Sequence, residues 1–395
     1  MRKSTVMHKR KLFNYILILL LIIVSCKRET PRPMILDKTP PGALSNVKVT
    51  NLNGAARISY SLPGDTDLLY VKALYQTTKG EKRETKVSRY TSNLLVEGFG
   101  DTSTYKVSLY VVDKSENVSP VVEVTVHPLE PIIWIVRRTI SVVPDFGGVN
   151  VKFTNSGEND LALVVLANDS LGQFSPVTTQ YTNLKEGDFS TRNMKDVETQ
   201  FGVYVRDRWG NISDTLLIKL TPYFEELLDR RKMKGVVLPT DAELGYGGDI
   251  AGLFDGSTSN GFYHSGDAAK MPQWFTYDMG VTAKLSRLVW FMRPGFYYTL
   301  HNPKKVQIWG SNKPNPNGSF DDSWVLLAET TQTKPSGLPE GQLSQADIDA
   351  AEAGWTVTFP LNTPKVRYIR FKTFSNWSNG TYVNFYEIMM WGDTK

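Results

Sequence analysis

The chain has very little cysteine, since Cys26 is the only one among 395 residues. A single cysteine cannot form an internal disulfide, and it cannot supply the several thiolates of a cysteine-based zinc site. Histidine is also scarce, with four residues, of which only His264 and His301 share the C-terminal part. A serine nucleophile elbow, a P-loop, a dinucleotide-binding glycine pattern, an HExxH motif and a Cys-His arrangement are all absent. We therefore expect a protein that is not an enzyme.

The chain also lacks an excess of charge once its amino terminus is set aside. The formal net charge is +5, and residues 1–25 contain five basic residues and no acidic one. The remainder is neutral overall, which removes the main support for binding to nucleic acid or another polyanion. The content of 41% hydrophobic and 22% charged residues is typical of folded domains rather than of a disordered or integral membrane protein.

Only one extended apolar run is present, and it lies near the start of the chain. The run from Leu12 to Val24 follows a basic segment and is shorter than the ~20 residues of a membrane-spanning helix, which predicts an export signal over residues 1–25. Its end, the tetrapeptide IVSC, resembles the lipobox of bacterial lipoproteins, and this resemblance implies that Cys26 is lipidated. The alternative is an ordinary signal peptide with an incidental cysteine. The proline-rich residues 26–42 are predicted to form a flexible tether.

Residues 43–128 have the pattern of short strands joined by tight turns. Segments such as ARISYSL and YKVSLYVV alternate apolar and polar residues, and no stretch carries a sustained helical period. The region resembles a fibronectin type III domain, including a tyrosine, Tyr105, placed like the tyrosine corner of that fold. The usual buried tryptophan is missing, and Tyr60 stands in its place. The resemblance implies a seven-stranded antiparallel sandwich.

An internal repeat predicts a second fibronectin III/Ig-like sandwich over residues 129–222. The segment SLYVVDKSENVSPVVEVTVHP at 108–128 aligns without a gap on GVYVRDRWGNISDTLLIKLTP at 202–222. The alignment places Asp113 on Asp207. Two copies of about ninety residues explain this similarity most economically.

Residues 223–236 are predicted to be a linker that forms a helix. Acidic residues lead this segment and basic residues follow, an order that suits the helix dipole and places Glu226 four residues before Arg230. The alternative interpretation of its charge is a basic surface for anionic lipid.

Residues 237–395 hold seven of the nine tryptophans and consist of short aromatic-rich segments typical of strands. Ser344 and Asp347 have capping-box spacing, which predicts a short surface helix over 344–353. Six motifs occur in the order found in the discoidin, or factor V/VIII type C, family. This resemblance implies a β-sandwich jelly roll of the galactose-binding-like type. The motifs are LFDG at 253–256, QWFTYDMG at 273–280, Arg293, KVQIWGS at 305–311, VRYIR at 366–370 and YEI at 386–388.

The discoidin-like resemblance implies a ligand site on the loops at one end of the sandwich. A sugar needs an aromatic ring beside fixed hydrogen-bonding groups, and the residues predicted at this end supply both. Arg293 has an alternative role, in which it pairs with a carboxylate to hold its loop. The predicted ligand-binding residues are Tyr246, His264, Arg293, Tyr297, Tyr298, Asn376 and Trp377.

The same resemblance implies a structural calcium ion. Many relatives hold Ca²⁺ with an early aspartate and the glutamate of the last strand, and Asp255 and Glu387 match these positions. Carboxylate oxygens suit this hard cation. The alternative is that Glu387 pairs with a nearby basic residue and no metal binds.

A lipidated tether, two spacer domains and a terminal discoidin-like module resemble the surface lipoproteins of Bacteroidetes polysaccharide-utilisation loci. The resemblance implies an outer-membrane lipoprotein, lipid-anchored and facing the cell surface, that captures an oligo- or polysaccharide beside a porin-type uptake complex. Its expected partners are therefore a glycan, outer-membrane lipid and that complex, and not nucleic acid. The alternatives are a protein-binding scaffold or adhesin and, less favoured, a glycan-active enzyme.

Overall fold

The computed structural model describes residues 38–169 and 171–395, and 48% of these described residues lie in strands and 7% in helices. This confirms the predicted all-β class of successive β-sandwiches. The predicted export signal, Cys26 and the tether up to residue 37 lie outside the described residues. No helix in the described ranges has both the length and the apolar character required to cross a membrane. The chain divides into two compact units, one ending at Pro131 and one running from Ile132 to Lys395.

The first unit is a sandwich of two antiparallel sheets. Side chains of successive strand residues point to opposite faces, so alternate residues, such as Ile58, Val71 and Leu109, are buried in one core. The sheets have the orders β1-β2-β5 and β4-β3-β6-β7. The strands are β1 (Ser45–Leu52), β2 (Ala55–Ser61), β3 (Leu68–Gln76), β4 (Lys82–Ser88), β5 (Asn93–Glu97), β6 (Tyr105–Asp113) and β7 (Val122–Val126).

The second unit begins with a sandwich of the same size, preceded by a helix that the sequence did not predict. Helix α1 (Ile132–Thr139) packs Ile133 and Val136 into the core of this sandwich. The sheets have the orders β12-β9-β8 and β11-β10-β13-β14. The strands are β8 (Ser141–Asp145), β9 (Gly148–Thr154), β10 (Leu161–Asn168), β11 (Phe174–Thr182), β12 (Glu186–Ser190), β13 (Thr199–Asp207) and β14 (Leu216–Leu220).

The two aligned repeat segments form the same turn in both sandwiches. The Asp113 carboxylate accepts hydrogen bonds from the backbone nitrogen of Asn117 at 2.8 Å and from its side-chain amide at 2.9 Å. Asp207 accepts the equivalent two bonds from Asn211, both at 2.9 Å. The aligned residues therefore have equal roles, because an aspartate at this position satisfies the backbone donors of the turn.

The C-terminal domain is a larger β-sandwich arranged around one long strand, β18. Strands β16, β21, β22 and β24 all pair with β18, and its inward side chains, including Phe275 and Trp290, lie in a single aromatic-rich core. The elements are β15 (Glu226–Leu227), β16 (Lys234–Val236), β17 (Tyr263–His264), β18 (Gln273–Trp290), β19 (Pro303–Ser311), β20 (Val325–Thr331), α2 (Gln345–Ala353), β21 (Trp355–Thr358), β22 (Val366–Asn376), β23 (Asn384–Phe385) and β24 (Ile388–Asp393).

The predicted helix over 223–236 is wrong. This segment forms β15, a short 3₁₀ turn at Arg230–Lys232, and β16. Strand β15 pairs with β24, strand β16 pairs with β18, and Leu228 and Met233 between them are buried in the core. Tertiary pairing therefore overrides the local helical preference of this charged segment.

The short helix predicted from the capping box is confirmed. Helix α2 begins after Ser344, whose hydroxyl accepts a hydrogen bond from the Asp347 backbone nitrogen at 3.2 Å. The Asp347 carboxylate accepts one in return from the Ser344 nitrogen at 2.8 Å. Two donors at the start of the helix are thereby satisfied.

A buried glutamate joins the second sandwich to the C-terminal domain. The Glu225 side chain is 3% exposed, and its carboxylate accepts hydrogen bonds from Ser286 at 2.6 Å and from Arg287 at 3.2 and 3.3 Å. Arg192 of the second sandwich lies 3.9 Å from the same carboxylate and 3.2 Å from Asp145. The carboxylate therefore balances guanidinium groups from both domains.

Replacing this carboxylate should destabilise the second unit. In Glu225→Ala, Arg287 and Arg192 lose a buried counter-charge, so we expect the free energy of unfolding to fall by about 3 kcal/mol. Chemical denaturation followed by tryptophan fluorescence measures the change. The exposed Glu186→Ala is the matched control and should change stability by less than about 0.5 kcal/mol. Equal effects of the two substitutions would contradict a role for Glu225 at the junction.

Candidate functional site

One end of the C-terminal domain is organised around the short strand pair β17–β23, in which His264 lies opposite Asn384. The preceding chain runs closely along β17, because the Gly245 nitrogen donates to the His264 carbonyl at 2.9 Å. A Cβ atom on Gly248 would lie 2.3 Å from the His264 backbone nitrogen, so only glycine permits this approach. Between these glycines, Tyr246 has a φ of 55° in the left-handed region. This backbone places the Tyr246 ring beside His264.

Four aromatic side chains meet here, and we call them the aromatic cluster: Tyr246, His264, His301 and Tyr382. Ring centroids are 4.7 Å apart for Tyr246 and His264, 5.4 Å for His264 and His301, and 5.0 Å for His301 and Tyr382. Tyr246 is 61% exposed, whereas His264 is buried. The cluster therefore presents an aromatic ring to solvent on a packed base.

A carboxylate fixes the two tyrosines of the cluster. Asp267 Oδ1 accepts hydrogen bonds from the hydroxyl of Tyr246 and, at 2.7 Å, from that of Tyr382. These bonds, together with the charge of His264, hold the pKa of Asp267 below its usual value. The Asp267 carboxylate is therefore ionised at neutral pH and stands at the exposed edge of the cluster as an acceptor.

His301 and Arg293 add a neutral and a charged group beside these rings. Burial, followed by the charges of His264 and Arg293, lowers the pKa of His301, so its imidazole is neutral at pH 7. The Arg293 guanidinium lies 4.4 Å from the ring centroid of Phe296. Within the described ranges no carboxylate is at ion-pair distance from Arg293, so the alternative in which an acid pairs with it is not supported.

Trp377, predicted from the sequence to bind ligand, is half-buried and contacts three side chains. Its indole nitrogen donates to the buried Gln332 side-chain oxygen at 2.7 Å. The buried Tyr298 ring packs against it edge-on at 5.2 Å, and the Lys304 ammonium lies 4.5 Å from its ring centroid. Trp377, Tyr298 and the half-buried Tyr297 instead form a packed cluster beside helix α2. Tertiary contacts therefore cover part of the Trp377 ring and use its indole donor within the protein.

Asn376 is buried, and its side chain holds a loop. Its amide nitrogen donates to the Tyr382 carbonyl at 2.7 Å, and its oxygen accepts from the Gly380 nitrogen at 2.9 Å. Both ends of the side chain are thereby used within the loop from 377 to 382. Asn376 therefore positions Tyr382 rather than offering its amide to a ligand.

Among the predicted residues, the structure thus brings Tyr246 and His264 into contact and places Arg293 within electrostatic range of their neighbour His301. Sequence reasoning missed Asp267 and Tyr382 as members of this site, and it noted His301 without assigning it a role. Asp267 follows His264 by three residues, a proximity that could have suggested it. Tyr382 carried no local signal, because its contact with Asp267 spans 115 residues.

The two predicted calcium ligands, Asp255 and Glu387, lie close to each other. Asp255 accepts backbone bonds from Ser257 at 2.7 Å and Gly261 at 3.0 Å. Glu387 Oε2 accepts one from Gly256 at 3.0 Å, while its buried Oε1 has no hydrogen-bond partner in the described ranges. Burial, with a smaller effect from Asp255, raises the pKa of Glu387 to about 7.

An unpartnered buried carboxylate oxygen beside a second acid fits an oxygen-liganded cation such as Ca²⁺. The Arg230 guanidinium lies next to Gly256, and its charge opposes the increase in the pKa of Glu387, so a basic residue is also close to this carboxyl group. The described residues contain no group of three or more acidic, histidine or cysteine side chains able to hold a metal. Asp255 and Glu387 are therefore the side chains that would hold the ion, with other oxygen atoms completing its shell.

Three family models, each described as a domain of unknown function, match the chain in succession: DUF4959 over 41–128, DUF5126 over 129–231 and DUF5000 over 252–392. No curated protein matches the chain. Among solved structures, SusE-like protein BT2857 is 34% identical, and the match covers 67% of this chain and 100% of that chain with a TM-score of 0.45. The chain belongs to the family of this SusE-like protein.

Two carbohydrate-binding modules from Clostridium perfringens are also similar at lower identity. The CBM32-3 module of a family 31 glycoside hydrolase is 16% identical over 42% of this chain and 95% of that chain, with a TM-score of 0.33. The family 32 module of NanJ, solved in complex with galactose, is 20% identical over 42% of this chain and 98% of that chain, with a TM-score of 0.29. Each of these matches covers less than half of the present chain.

The hydrogen bond between Trp377 and Gln332 can be tested by substitution. Trp377→Phe removes the donor to Gln332 and leaves a buried oxygen unpaired, so we expect the free energy of unfolding to fall by about 1–3 kcal/mol. Adding Gln332→Met should recover part of this loss, because both polar partners are then gone. Urea denaturation of the single and double variants measures both changes. A double variant less stable than the sum of the single effects would contradict this pairing.

Proposed function

We propose that the chain is a surface lipoprotein that binds a sugar unit of a glycan with the aromatic cluster of its C-terminal domain. The observation that carries the proposal is the exposed Tyr246 ring, which packs on His264 and donates a hydrogen bond to the ionised Asp267. The neutral His301 packs on the other side of His264, and the charge of Arg293 acts on His301. The proposed function is binding without catalysis.

These groups match the chemistry of a sugar. One face of a sugar ring presents C–H groups that pack on an aromatic plane, a contact that contributes about 0.5–1.5 kcal/mol beyond the buried area. The hydroxyl groups around its rim require donors and acceptors at fixed positions. Asp267 supplies an acceptor, Arg293 supplies donors, and the neutral ring of His301 can serve as either.

The buried Asn384 oxygen offers a further acceptor. Asn384 is the cross-strand partner of His264, so the two side chains share a face of the β17–β23 pair. Its Oδ1 atom has no hydrogen-bond partner in the described ranges. A sugar hydroxyl that reached this atom would satisfy an acceptor whose burial is otherwise costly.

Membership of the SusE-like family supports a role in polysaccharide utilisation. In the proposed arrangement, a lipidated Cys26 and the tether fix the chain to the outer membrane, the two sandwiches act as spacers, and a porin-type complex takes up the captured glycan. A single site with few polar contacts binds weakly, and many copies on one membrane convert weak binding into retention by avidity.

Affinity electrophoresis of the mature chain, expressed from residue 27, against a panel of polysaccharides tests this function. At least one glycan should retard migration, and Tyr246→Ala and Arg293→Ala should each weaken binding about tenfold. Tyr90→Ala, at an exposed tyrosine of the first sandwich, is the matched control and should bind normally, as should Trp377→Phe. If no glycan retards the chain, or if Tyr246→Ala binds normally, the proposed site is wrong.

We also propose that Asp255 and Glu387 hold a structural Ca²⁺. The bound ion would neutralise two neighbouring carboxylates and fix the loop after Asp255 to the last strand, so saturating Ca²⁺ should stabilise the domain, by about 2.7 kcal/mol at a hundred times the dissociation constant. Thermal unfolding with Ca²⁺ or with EDTA measures this. Glu387→Gln should lose the effect, whereas Glu243→Gln should keep it. If Ca²⁺ does not change the unfolding temperature, the proposal that Asp255 and Glu387 bind Ca²⁺ is wrong.

A further inference from the structure

The outer face of the C-terminal sheet carries basic and aromatic side chains that the aromatic cluster does not involve. Strands β18, β22 and β19 lie side by side, and alternate residues point away from the core. Phe320, from the loop between β19 and β20, lies over this face. We call the following residues the outer-face patch: Trp274, Lys305, Phe320, Lys372 and Phe374.

Lys372 is at the centre of the patch. Its ammonium lies 4.5 Å from the ring centroid of Phe320, 5.2 Å from that of Phe374 and 5.3 Å from that of Trp274. All three rings are partly exposed, as is Lys372. The ammonium is therefore held among aromatic rings at the surface and not extended into water.

Three acids near this face, Asp241, Glu329 and Asp321, have other partners. Asp321 accepts hydrogen bonds from the hydroxyl groups of Ser319 and Ser323, and its charge acts on the Arg370 guanidinium. Asp241 is buried and lies 3.4 Å from the Arg370 guanidinium. Glu329 lies 3.3 Å from the Lys305 ammonium and accepts a hydrogen bond from Gln307 at 2.5 Å. Within the described ranges no carboxylate is at ion-pair distance from Lys372.

The Lys372 ammonium could pair with an anion from a ligand. Lys372 is partly withdrawn from water and close to the positive charge of Arg370, and both effects lower its pKa. A carboxylate or sulfate would reverse this cost by forming charge-assisted hydrogen bonds with the ammonium. The exposed parts of Trp274 and Phe374 flank the same point and offer surfaces for the C–H face of a sugar ring.

We propose that the outer-face patch binds an anionic sugar residue, with its carboxylate or sulfate on Lys372 and its ring against Trp274 or Phe374. This site is separate from the aromatic cluster and does not depend on the function proposed for it. The neutral net charge of the mature chain does not oppose the proposal, because the attraction arises from the single ammonium of Lys372, which has no carboxylate partner in the described ranges.

Affinity electrophoresis of the mature chain in gels containing polygalacturonate, dextran sulfate or neutral dextran tests the proposal. At least one acidic polymer should retard the chain more than dextran, and Lys372→Met should weaken that binding about tenfold. This substitution keeps the apolar stem and removes the charge. Lys313→Met, at an exposed lysine outside the patch, removes the same charge and is the matched control. Circular dichroism verifies folding, and Lys372→Gln provides a second variant if the first misfolds.

The outcomes are distinct. Retardation by polygalacturonate alone identifies a carboxylate ligand, and retardation by dextran sulfate alone identifies a sulfate ligand. The proposal is overturned if neither polymer retards the chain more than dextran does, or if Lys313→Met weakens binding as much as Lys372→Met. Tyr246→Ala should leave binding to the acidic polymer unchanged, which separates this site from the aromatic cluster.

Discussion

Strand β18 is the element on which the C-terminal domain depends, because it takes part in both halves of the sandwich. Its first part pairs with β22, and its last part pairs with β21 and β24. The register shifts between Asp278 and Ala283, where the strand changes partners. Backbone hydrogen bonds of one continuous segment therefore hold both faces of a core that contains Phe275 and Trp290. The loops that form the aromatic cluster extend from strands fixed in this way.

Buried amide side chains then fix those loops. Asn302 accepts a hydrogen bond from the Arg293 nitrogen and donates to the carbonyl groups of Phe296 and Thr299, so it closes the loop that carries Arg293. Asn376 does the same for the loop that ends at Tyr382. A site held by such bonds loses little conformational freedom when a ligand binds, and weak polar contacts are then sufficient for recognition.

The features that the sequence predicted correctly depend on local chemistry: alternation in strands, the repeated turn and the capping box. The prediction of a helix over 223–236 was wrong because this segment forms two short strands that pair with residues far away in the chain. Contacts between residues distant in the sequence also explain why part of the candidate site was not predicted. Asp267 and Tyr382 meet only after folding, and Trp377 donates its hydrogen bond to Gln332, 45 residues away. Composition and spacing carry no information about such contacts, whereas the residues of the C-terminal motifs were recognisable individually.

The pairing of β15 and β16 with the C-terminal sheet affects how this domain can be inherited. A recombination event that joined a new partner at residue 237 would remove both strands and leave the cavity filled by Leu228 and Met233 open to water. A segment that could be transferred by recombination with an intact C-terminal domain therefore begins upstream of Glu225, within the region that also contacts the second sandwich. Shuffling during evolution would preserve these two domains as a pair.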